Sequence, residues 1–362
     1  MYIGDYLGRR EIYSPDTLAI IDAGKAPELR LTFKQWNRRV NRLANWLSAT
    51  AKVGFRDRVA ILARDGIEHL DSFYACGKLG AIHTALNWRL HWREIVALIE
   101  DTQPKVLIYS DDFIDSVREI EKAIHATGYR IPCYLHIEGQ GIANSLHFES
   151  TLQSAPDTPV SNDRVTKEDI ACLLFTGGTT GLPKGAQISH RQVAWNVLNT
   201  VIHDLAHDDT YLCVFPLFHA GGLFAYVSSQ IVFGNTTILT RIFDPEQVLN
   251  LIEREQVTVF AGVPTMYQGL TQAPNWDSAD MSSLRFCTSG GAPLPVPLVE
   301  QYTREKGIRF KQGFGMTEFG PGLFALPPED AIRKAGSIGR PNYFVDVRIV
   351  DEHNQPLGPN QP

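Results

Sequence analysis

The sequence predicts an α/β fold with parallel β-sheets that are covered by helices on both faces. Two observations support this prediction: short apolar runs recur through the 362 residues, and segments with apolar residues at helical spacing lie between them. The runs typical of buried strands cover residues 59–63, 106–109, 133–137, 171–175, 212–215, 236–239, 257–261 and 285–289. The segments typical of helices cover residues 65–80, 92–101, 192–202 and 245–255.

One further helix is assigned from its first residues. Thr32 and Gln35 have the spacing of a capping box, in which each side chain accepts a hydrogen bond from the other residue's backbone N–H. Apolar residues then recur at helical spacing, at Phe33, Trp36, Val40, Leu43 and Leu47. A helix is therefore predicted to begin directly after Thr32.

The last residues follow a strand pattern. Val345, Val347 and Ile349 fall on one face of a predicted strand over residues 344–351, and a turn is predicted over residues 351–358. A strand returning from that turn is expected but is not found before Pro362, which indicates a chain cut inside a small β-unit.

The chain is expected to form three units. The first α/β unit covers residues 1–185 and ends in a glycine-rich loop, and the second α/β unit covers residues 186–335 and holds the ligand sites. Residues 336–362 are the expected start of the small β-unit.

Composition narrows the functional class. Hydrophobic residues make up 44% of the chain and charged residues 20%, as in soluble globular proteins. The net charge of −6 argues against nucleic-acid binding, because no global positive field gathers phosphates. Five dispersed cysteines without a C-x-x-C pair predict reduced thiols in a cytoplasmic protein.

The charge-free run 211–234 is long enough to span a membrane, but Pro216, His219 and the pair Gly221-Gly222 favour a strand, a loop and a buried helix.

The glycine-rich loop is the strongest chemical signal. It reads Thr176-Gly177-Gly178-Thr179-Thr180-Gly181-Leu182-Pro183-Lys184-Gly185 and follows the apolar run 171–175. Its glycines let backbone N–H groups approach an anion, its threonines add hydroxyl donors, and Lys184 adds positive charge. The loop is not a P-loop of the G-x-x-x-x-G-K-S/T type, because Pro183 precedes the lysine and Gly185 follows it. A phosphate-binding loop of another kind is therefore predicted.

The loop resembles the (S/T)SGTTGxPKG signature of the adenylate-forming superfamily, which contains acyl-CoA synthetases, luciferases and the adenylation domains of peptide synthetases. Gly177 stands where the family usually has serine. Further segments that resemble family patterns follow in the family's order, at residues 216–222, 289–293, 312–318 and 336–341. The resemblance implies two parallel-type sheets interleaved with helices in a layered αβαβα arrangement. It also implies a C-terminal lid domain with a catalytic lysine, which is absent here, so this chain alone is expected to be weakly active or inactive.

The resemblance implies a role for each matching residue. ATP is expected to contact Thr176, Gly177, Gly178, Thr179, Thr180, Gly181, Lys184, Gly290, Gly291, Ala292, Gln312, Gly313, Phe314, Gly315, Met316 and Thr317. Catalytic roles are expected for Thr176, Lys184, His219, Thr317 and Glu318. A Mg²⁺ ion is expected on Thr176 and Glu318. The expected wall of an acyl pocket consists of Phe218, His219, Gly221, Leu223, Tyr226, Val263, Tyr267 and Gly291. Core packing explains the apolar members of that wall equally well.

The implied reaction joins a small carboxylic acid to ATP, with Mg²⁺, and passes the acyl group to coenzyme A as co-substrate. Residues 217–234 contain no Asp or Glu to hold an ammonium group, which favours a fatty or aryl acid over an amino acid, and their apolar character favours a fatty acid. A non-catalytic ATP- or acyl-binding protein and an unrelated phosphotransferase remain as alternatives. A zinc site at His203 and His207 is a weaker one. A homodimer and peripheral association with a membrane stay open.

Overall fold

Two β-sheets form the frame of the fold, which a computed structural model describes for residues 2–177 and 183–361. The strands are β1 (Leu18–Asp22), β2 (Leu29–Thr32), β3 (Arg58–Leu62), β4 (Ile82–Ala85), β5 (Val106–Tyr109), β6 (Cys133–His136), β7 (Leu146–His147), β8 (Ile170–Thr176), β9 (Lys184–Ser189), β10 (Thr210–Cys213), β11 (Thr236–Leu239), β12 (Val259–Gly262), β13 (Phe286–Ser289), β14 (Phe310–Met316), β15 (Gly320–Leu326) and β16 (Arg340–Pro341). The helices are α1 (Tyr6–Tyr13), α2 (Phe33–Ala49), α3 (Ile67–Leu79), α4 (Trp92–Thr102), α5 (Ile114–Ala126), α6 (Phe148–Ser154), α7 (His190–Val201), α8 (Val227–Phe233), α9 (Pro245–Arg254), α10 (Pro264–Leu270) and α11 (Val296–Lys306).

Both sheets are mainly parallel. The seven-stranded sheet has the order β7-β6-β5-β3-β4-β8-β9, and the nine-stranded sheet has the order β16-β15-β14-β13-β12-β10-β11-β1-β2. Antiparallel pairing is confined to the sheet edges, where β9 joins β8, β2 joins β1, and β15 joins β14 and β16. The predicted α/β class with two parallel-type sheets is thus confirmed.

A helical layer separates the two sheets. All residues of α3 are buried, which indicates that protein surrounds this helix. The Tyr74 hydroxyl on α3 lies 3.2 Å from the Ser228 hydroxyl on α8, and the rings of Phe73 and Phe224 stack with centroids 6.4 Å apart. Because α3 follows a strand of the seven-stranded sheet and α8 precedes one of the nine-stranded sheet, these contacts place α3 and α8 between the sheets. This is the middle layer that the αβαβα arrangement requires.

The three expected units do not coincide with the sheets. Strand β1 lies in the nine-stranded sheet, where Ile21 pairs with Ile238 of β11, although the first unit was expected to contain it. Strand β9 stays in the seven-stranded sheet and continues past residue 185 to Ser189. Strand β16, from the expected small β-unit, pairs with β15. The division into units therefore stays a prediction, while long-range pairing decides which strands share a sheet.

The predicted strands and helices occur, except for the strand over residues 344–351, and their ends differ by one or two residues from the predicted ones in most cases. The capping box is present: Thr32 Oγ1 accepts from the Gln35 N–H at 3.3 Å, and Gln35 Oε1 accepts from the Thr32 N–H at 2.9 Å. Local apolar patterns and local capping are therefore sufficient to locate these elements.

The strand predicted over residues 344–351 is wrong. The structure has only an isolated bridge there, between Val350 and Pro356. Val347 and Ile349 are 50% and 72% exposed, since no partner strand covers them among the described residues. The following turn does form, because Asp351 Oδ1 accepts from the His353 and Gln355 N–H groups at 2.8 Å each.

Within residues 2–177 and 183–361, no helix has the length and apolar character needed to cross a membrane. The charge-free run 211–234 contains most of β10, a loop and α8, as predicted.

Candidate active site

The hairpin of β8 and β9 brings two predicted site residues together. Thr176 and Lys184 are cross-strand partners at the loop end of this hairpin, and the Thr176 hydroxyl donates to the Lys184 carbonyl oxygen at 3.5 Å. Gly177 and Lys184 are exposed. The predicted ATP contacts Gly178, Thr179, Thr180 and Gly181 lie outside the described residues. The hairpin thus presents a hydroxyl and an ammonium group at the carboxyl end of a parallel strand, where ligands bind in open α/β sheets.

The turn that carries Thr317 and Glu318 is attached to the same hairpin. It follows the carboxyl end of β14 and spans one 3₁₀ turn, Thr317–Phe319. Helix α7 begins directly after β9, and the Gln192 side chain in its first turn donates from Nε2 to the Glu318 carbonyl oxygen at 2.7 Å. One side chain therefore couples the hairpin of Lys184 to the turn of Glu318, and both Glu318 and Lys184 remain exposed.

A cavity of about 350 Å³ lies beside this turn, between α7, the segment before α8, and strands β13 to β15. Many of the predicted ligand residues line it, namely His219, Gly221, Tyr226, Val263, Gly290, Gly291, Gln312, Gly313, Gly315, Met316 and Thr317. The structure therefore assembles residues from separate signature segments around one space.

Glycine shapes the segment that enters this cavity. A Cβ atom on Gly222 would lie 2.4 Å from the Pro216 carbonyl oxygen and 2.5 Å from the Phe215 carbonyl oxygen. Only glycine allows that backbone approach, which starts the π-helical turn Gly221–Ala225 before α8. The close turn places His219 and Gly221 in the cavity wall.

Three residues of the predicted acyl wall lie in the core and not in the cavity lining. The Phe218 ring packs edge-on against Trp88, with centroids 6.2 Å apart. Leu223 has no exposed surface, and neither has Tyr267, whose hydroxyl donates to the Thr288 carbonyl oxygen at 2.7 Å. For these three residues the structure shows the core packing that the sequence analysis gave as the alternative, because apolar residues next to a pocket segment also have to fill the core on its other side.

Phe314 and Ala292 do not line the cavity either, and both lie at the protein surface. Ala292 is exposed, and the Phe314 side chain is 38% exposed with its ring edge-on to Phe324 at 5.9 Å. The expected stacking of adenine on Phe314 stays a prediction.

Several polar lining residues were missed by the sequence analysis. They are Asn196, Thr200, His203, Thr288, Lys311 and Asn342. A signal for Asn196 and Thr200 was present, since positions 196 and 200 share one face of α7. Lys311 and Thr288 pair in register on β14 and β13, and this pairing is not visible before the strands are placed side by side.

A family model described as AMP-binding enzyme matches residues 11–362. The chain belongs to this family. It is 38% identical to a feruloyl-CoA synthase of an Amycolatopsis species, over 99% of this chain and 68% of that protein. It is 32% identical to a long-chain-fatty-acid–CoA ligase of Mycobacterium tuberculosis, over 96% of this chain and 66% of that protein. The solved N-terminal domain of FACL13 from Mycobacterium tuberculosis is similar with a TM-score of 0.89 at 30% identity, covering 98% of this chain and 86% of that one.

These matches confirm the resemblance to the adenylate-forming superfamily. They also show that this AMP-binding enzyme is similar in sequence to named CoA ligases. The chain spans about two thirds of the length of the two relatives. Aryl-acid and fatty-acid ligases both occur among its relatives, so family membership leaves the class of acid open.

His219 of this AMP-binding enzyme is a neutral hydrogen-bonding group at neutral pH. Burial lowers the pKa of His219, and the positive charge of Arg89 lowers it further. Its ring packs against Phe218 with centroids 4.5 Å apart. A neutral imidazole has one donor and one acceptor nitrogen, so His219 can orient a ligand without adding charge.

Asp65 fixes the segment that precedes His219. The Leu217 N–H donates to Asp65 Oδ1 at 2.8 Å. Burial raises the pKa of Asp65 to about 7, while the bond from Leu217 and the charges of Arg89 and Arg64 oppose that rise. A raised pKa in the folded state contributes stability that is present below the unfolded pKa and is lost as the pH rises through the folded value.

Asp65→Asn is expected to remove this pH dependence and to keep the acceptor for the Leu217 N–H. As the pH rises from about 4 to about 7, the wild type should lose unfolding free energy that the variant keeps. The difference should reach at most about 4 kcal/mol, which corresponds to a change in pKa from about 4 to about 7. Urea unfolding between pH 4 and pH 8 measures the difference. Asp115→Asn is the control, since that side chain is 90% exposed. A difference for Asp65→Asn that does not vary with pH would contradict the assignment.

The two histidines of the zinc alternative do not come together as a metal site. His203 Nε2 lies 2.7 Å from Asn342 Oδ1, and His207 Nδ1 lies 2.8 Å from Asp208 Oδ1. Across the part of the chain that the structure describes, no group of three or more His, Cys, Asp or Glu side chains is arranged to hold a metal ion.

Proposed function

We propose that this AMP-binding enzyme joins a carboxylic acid to the α-phosphate of ATP and then transfers the acyl group to coenzyme A. In the first step a carboxylate oxygen forms a bond to the α-phosphorus, and the bond to pyrophosphate breaks. In the second step the thiol sulfur bonds to the acyl carbon, and AMP leaves. The observation that carries the proposal is the cavity that ends at Thr317, beside the hairpin of Thr176 and Lys184.

The described residues supply the charge that this reaction needs. The carboxylate and the phosphates are both anionic, so the site has to neutralise charge before they can meet. Lys184 is exposed at the hairpin, where its ammonium group can reach phosphate oxygens. We assign the Thr317 hydroxyl as a donor to the α-phosphate, because it lines the cavity at the carboxyl end of β14.

The donor set at this edge fits Mg²⁺. This ion prefers hard oxygen ligands and is held in proteins by one or two carboxylates together with substrate phosphates. The exposed Glu318 carboxylate and the Thr176 hydroxyl are donors of that kind. When bound there, Mg²⁺ would neutralise charge on the phosphates.

The cavity favours an acid with an apolar body and no ammonium group. Phe215, Ala220, Val263 and Phe324 contribute apolar surface, and no Asp or Glu occurs among its described lining residues. An amino acid would therefore leave its ammonium group without a carboxylate partner. We propose an aryl or a fatty acid as substrate, which keeps the fatty acid predicted from the sequence as one of two classes.

Acid-dependent exchange between ATP and labelled pyrophosphate tests this function. A panel of fatty, aryl and amino acids is expected to give exchange with acids of the first two classes, because adenylation is reversible and releases pyrophosphate. Release of ADP in place of pyrophosphate would identify a phosphotransferase instead. The assay is run on this chain and on a version extended through the lid domain. The absence of exchange with every acid in the extended version, in a sample that binds ATP, would support the non-catalytic alternative.

We also propose that the enzyme works in the cytoplasm, because its five cysteines are all free and four of them are buried. Fractionation of cells that produce it tests the location, and recovery in a secreted fraction would contradict it. The same fractions show whether the enzyme associates with membranes, and light scattering measures whether it is a homodimer.

A further inference from the structure

The cavity of about 350 Å³ that we assign to the acid is called the acyl cavity from here on. A second cavity adjoins its far end. It has a volume of about 740 Å³, and Arg285, Arg309 and Arg340 are among its lining residues. The two cavities have three lining residues in common, namely His203, Lys311 and Ala325. These three residues, which we call the partition, are therefore the wall that separates the two spaces.

Lys311 presents a different part of its side chain to each cavity. Its Nζ donates to the His203 carbonyl oxygen and to Asp204 Oδ2, at 2.7 Å each, and lies 3.8 Å from the centroid of the Phe286 ring. Asp204 and Phe286 line the second cavity and not the acyl cavity. The ammonium group is thus held on the side of the second cavity, which leaves the aliphatic stem of Lys311 to face the acyl cavity.

The rest of the partition is also held in place. His203 Nε2 lies 2.7 Å from Asn342 Oδ1, and the Asn342 side chain donates in turn to the Gly322 carbonyl oxygen at 2.9 Å. Ala325 lies on β15, paired with Gly313 of β14. The Lys311 side chain is only 12% exposed although it carries a charge, so the surrounding groups fix its position.

The partition lies at a defined distance from the reacting end of the site. Strand β14 runs from Phe310 to Met316, and both Lys311 and Thr317 line the acyl cavity. Thr317 follows Lys311 by six positions and comes directly after the end of β14, which corresponds to about 20 Å of extended chain. An acid whose carboxylate lies at Thr317 therefore meets Lys311 only with the far end of its body.

We propose that the stem of Lys311 sets the length limit of the acid that this enzyme accepts, by closing the acyl cavity against the second cavity. This inference rests on the proposed function, because it assigns the cavity to the acid. Acids that end before the partition fit, and longer acids collide with it. Shortening Lys311 joins the two cavities and gives longer acids room beyond the wall.

Lys311→Ala tests the proposal on a series of straight-chain and ω-phenyl acids of increasing length. With the wild type, exchange between ATP and pyrophosphate should fall sharply beyond one length. With Lys311→Ala, the ratio of kcat/KM for the next longer acid to kcat/KM for a short acid should rise about tenfold or more, since one methylene group in an apolar pocket discriminates by at least that factor. Lys311→Met is the matched control, because it keeps an unbranched apolar stem and removes the ammonium group with its two hydrogen bonds. It should keep the wild-type limit if the stem alone closes the cavity.

Ala325→Leu gives an independent test, since it adds volume to the partition and should move the limit to shorter acids. The same length profile in the wild type, Lys311→Ala and Ala325→Leu would overturn the proposal. A limit that shifts in Lys311→Met as far as in Lys311→Ala would also overturn it, because charge and not the stem would then be responsible. If no acid supports exchange, the proposed function fails, and calorimetric titration of the same acids into the same variants still measures the length limit of binding.

Discussion

Glu318→Gln is expected to lower kcat/KM for acid-dependent exchange between ATP and pyrophosphate by about a hundred- to a thousandfold, which corresponds to about 3–4 kcal/mol of transition-state stabilisation. The neutral amide is a weaker ligand for Mg²⁺ and provides no charge beside the phosphates. The expected loss depends on the proposed adenylation, and the exchange assay at saturating acid with varied ATP and Mg²⁺ measures it.

The position of Glu318 allows loss of function to be separated from loss of structure. Its side chain is exposed, and its contact with Gln192 uses the backbone carbonyl oxygen, which the substitution keeps. The melting temperature should therefore stay within about 1 °C of the wild type. Glu300→Gln, at an exposed position on α11, is the control and should retain full exchange. Equal exchange rates in Glu318→Gln and the control would remove Glu318 from the proposed metal site.

Arg39→Met is expected to cost about 3–5 kcal/mol of folding free energy above about pH 7, because it leaves a buried carboxylate without its ionic partner. Arg39 Nε donates to Asp71 Oδ2 at 2.6 Å, and Asp71 Oδ1 accepts from Trp36 Nε1 at 3.1 Å. The Asp71 side chain has no exposed surface, and Arg39 also donates to Glu149 at 2.8 Å. This network joins α2 and α3, and α3 belongs to the layer between the two sheets.

The cost of Arg39→Met should depend on pH. Burial raises the pKa of Asp71, and the Arg39 guanidinium opposes that rise. Burial holds the folded pKa of Asp71 at about 7 even with Arg39 in place, and without Arg39 it rises further. The pH-dependent part of the penalty should therefore be absent at acidic pH and should grow as the pH rises through about 7. Urea unfolding at several pH values measures it. Arg38→Met is the neighbouring control, because Arg38 is 50% exposed and should contribute less than about 1 kcal/mol. Equal costs for Arg38→Met and Arg39→Met would contradict the argument.

The elements of the fold could be predicted because each depends on a short stretch of chain. The capping box of Thr32 and Gln35 is complete within four residues, and the apolar runs of the parallel strands are buried on both faces. The same reasoning was wrong for residues 344–351, where the alternation of Val345, Val347 and Ile349 has no partner strand among the described residues. A strand needs a neighbour to form hydrogen bonds, and alternation alone does not supply one.

Part of the cavity lining was predictable for a similar reason. Thr317, Gly290 and Gly291 belong to contiguous signature segments, and the structure places them around the same cavity. The apolar residues expected around the acid were harder to place from the sequence. Phe218 and Tyr267 are apolar neighbours of the pocket that turn into the core, and only the packed structure distinguishes the two directions.

The sequence by itself determined the fold class, about half of the strands and helices, and the position of the glycine-rich loop and its signature segments, because periodicity, capping and glycine spacing act over a few neighbouring residues. Only the tertiary structure decided that β1 joins β11, that Gln192 ties the Glu318 turn to the hairpin, and that Lys311 separates two cavities. Each of these depends on contacts between residues far apart in the chain, and such contacts exist only after the sheets and the helical layer between them have packed.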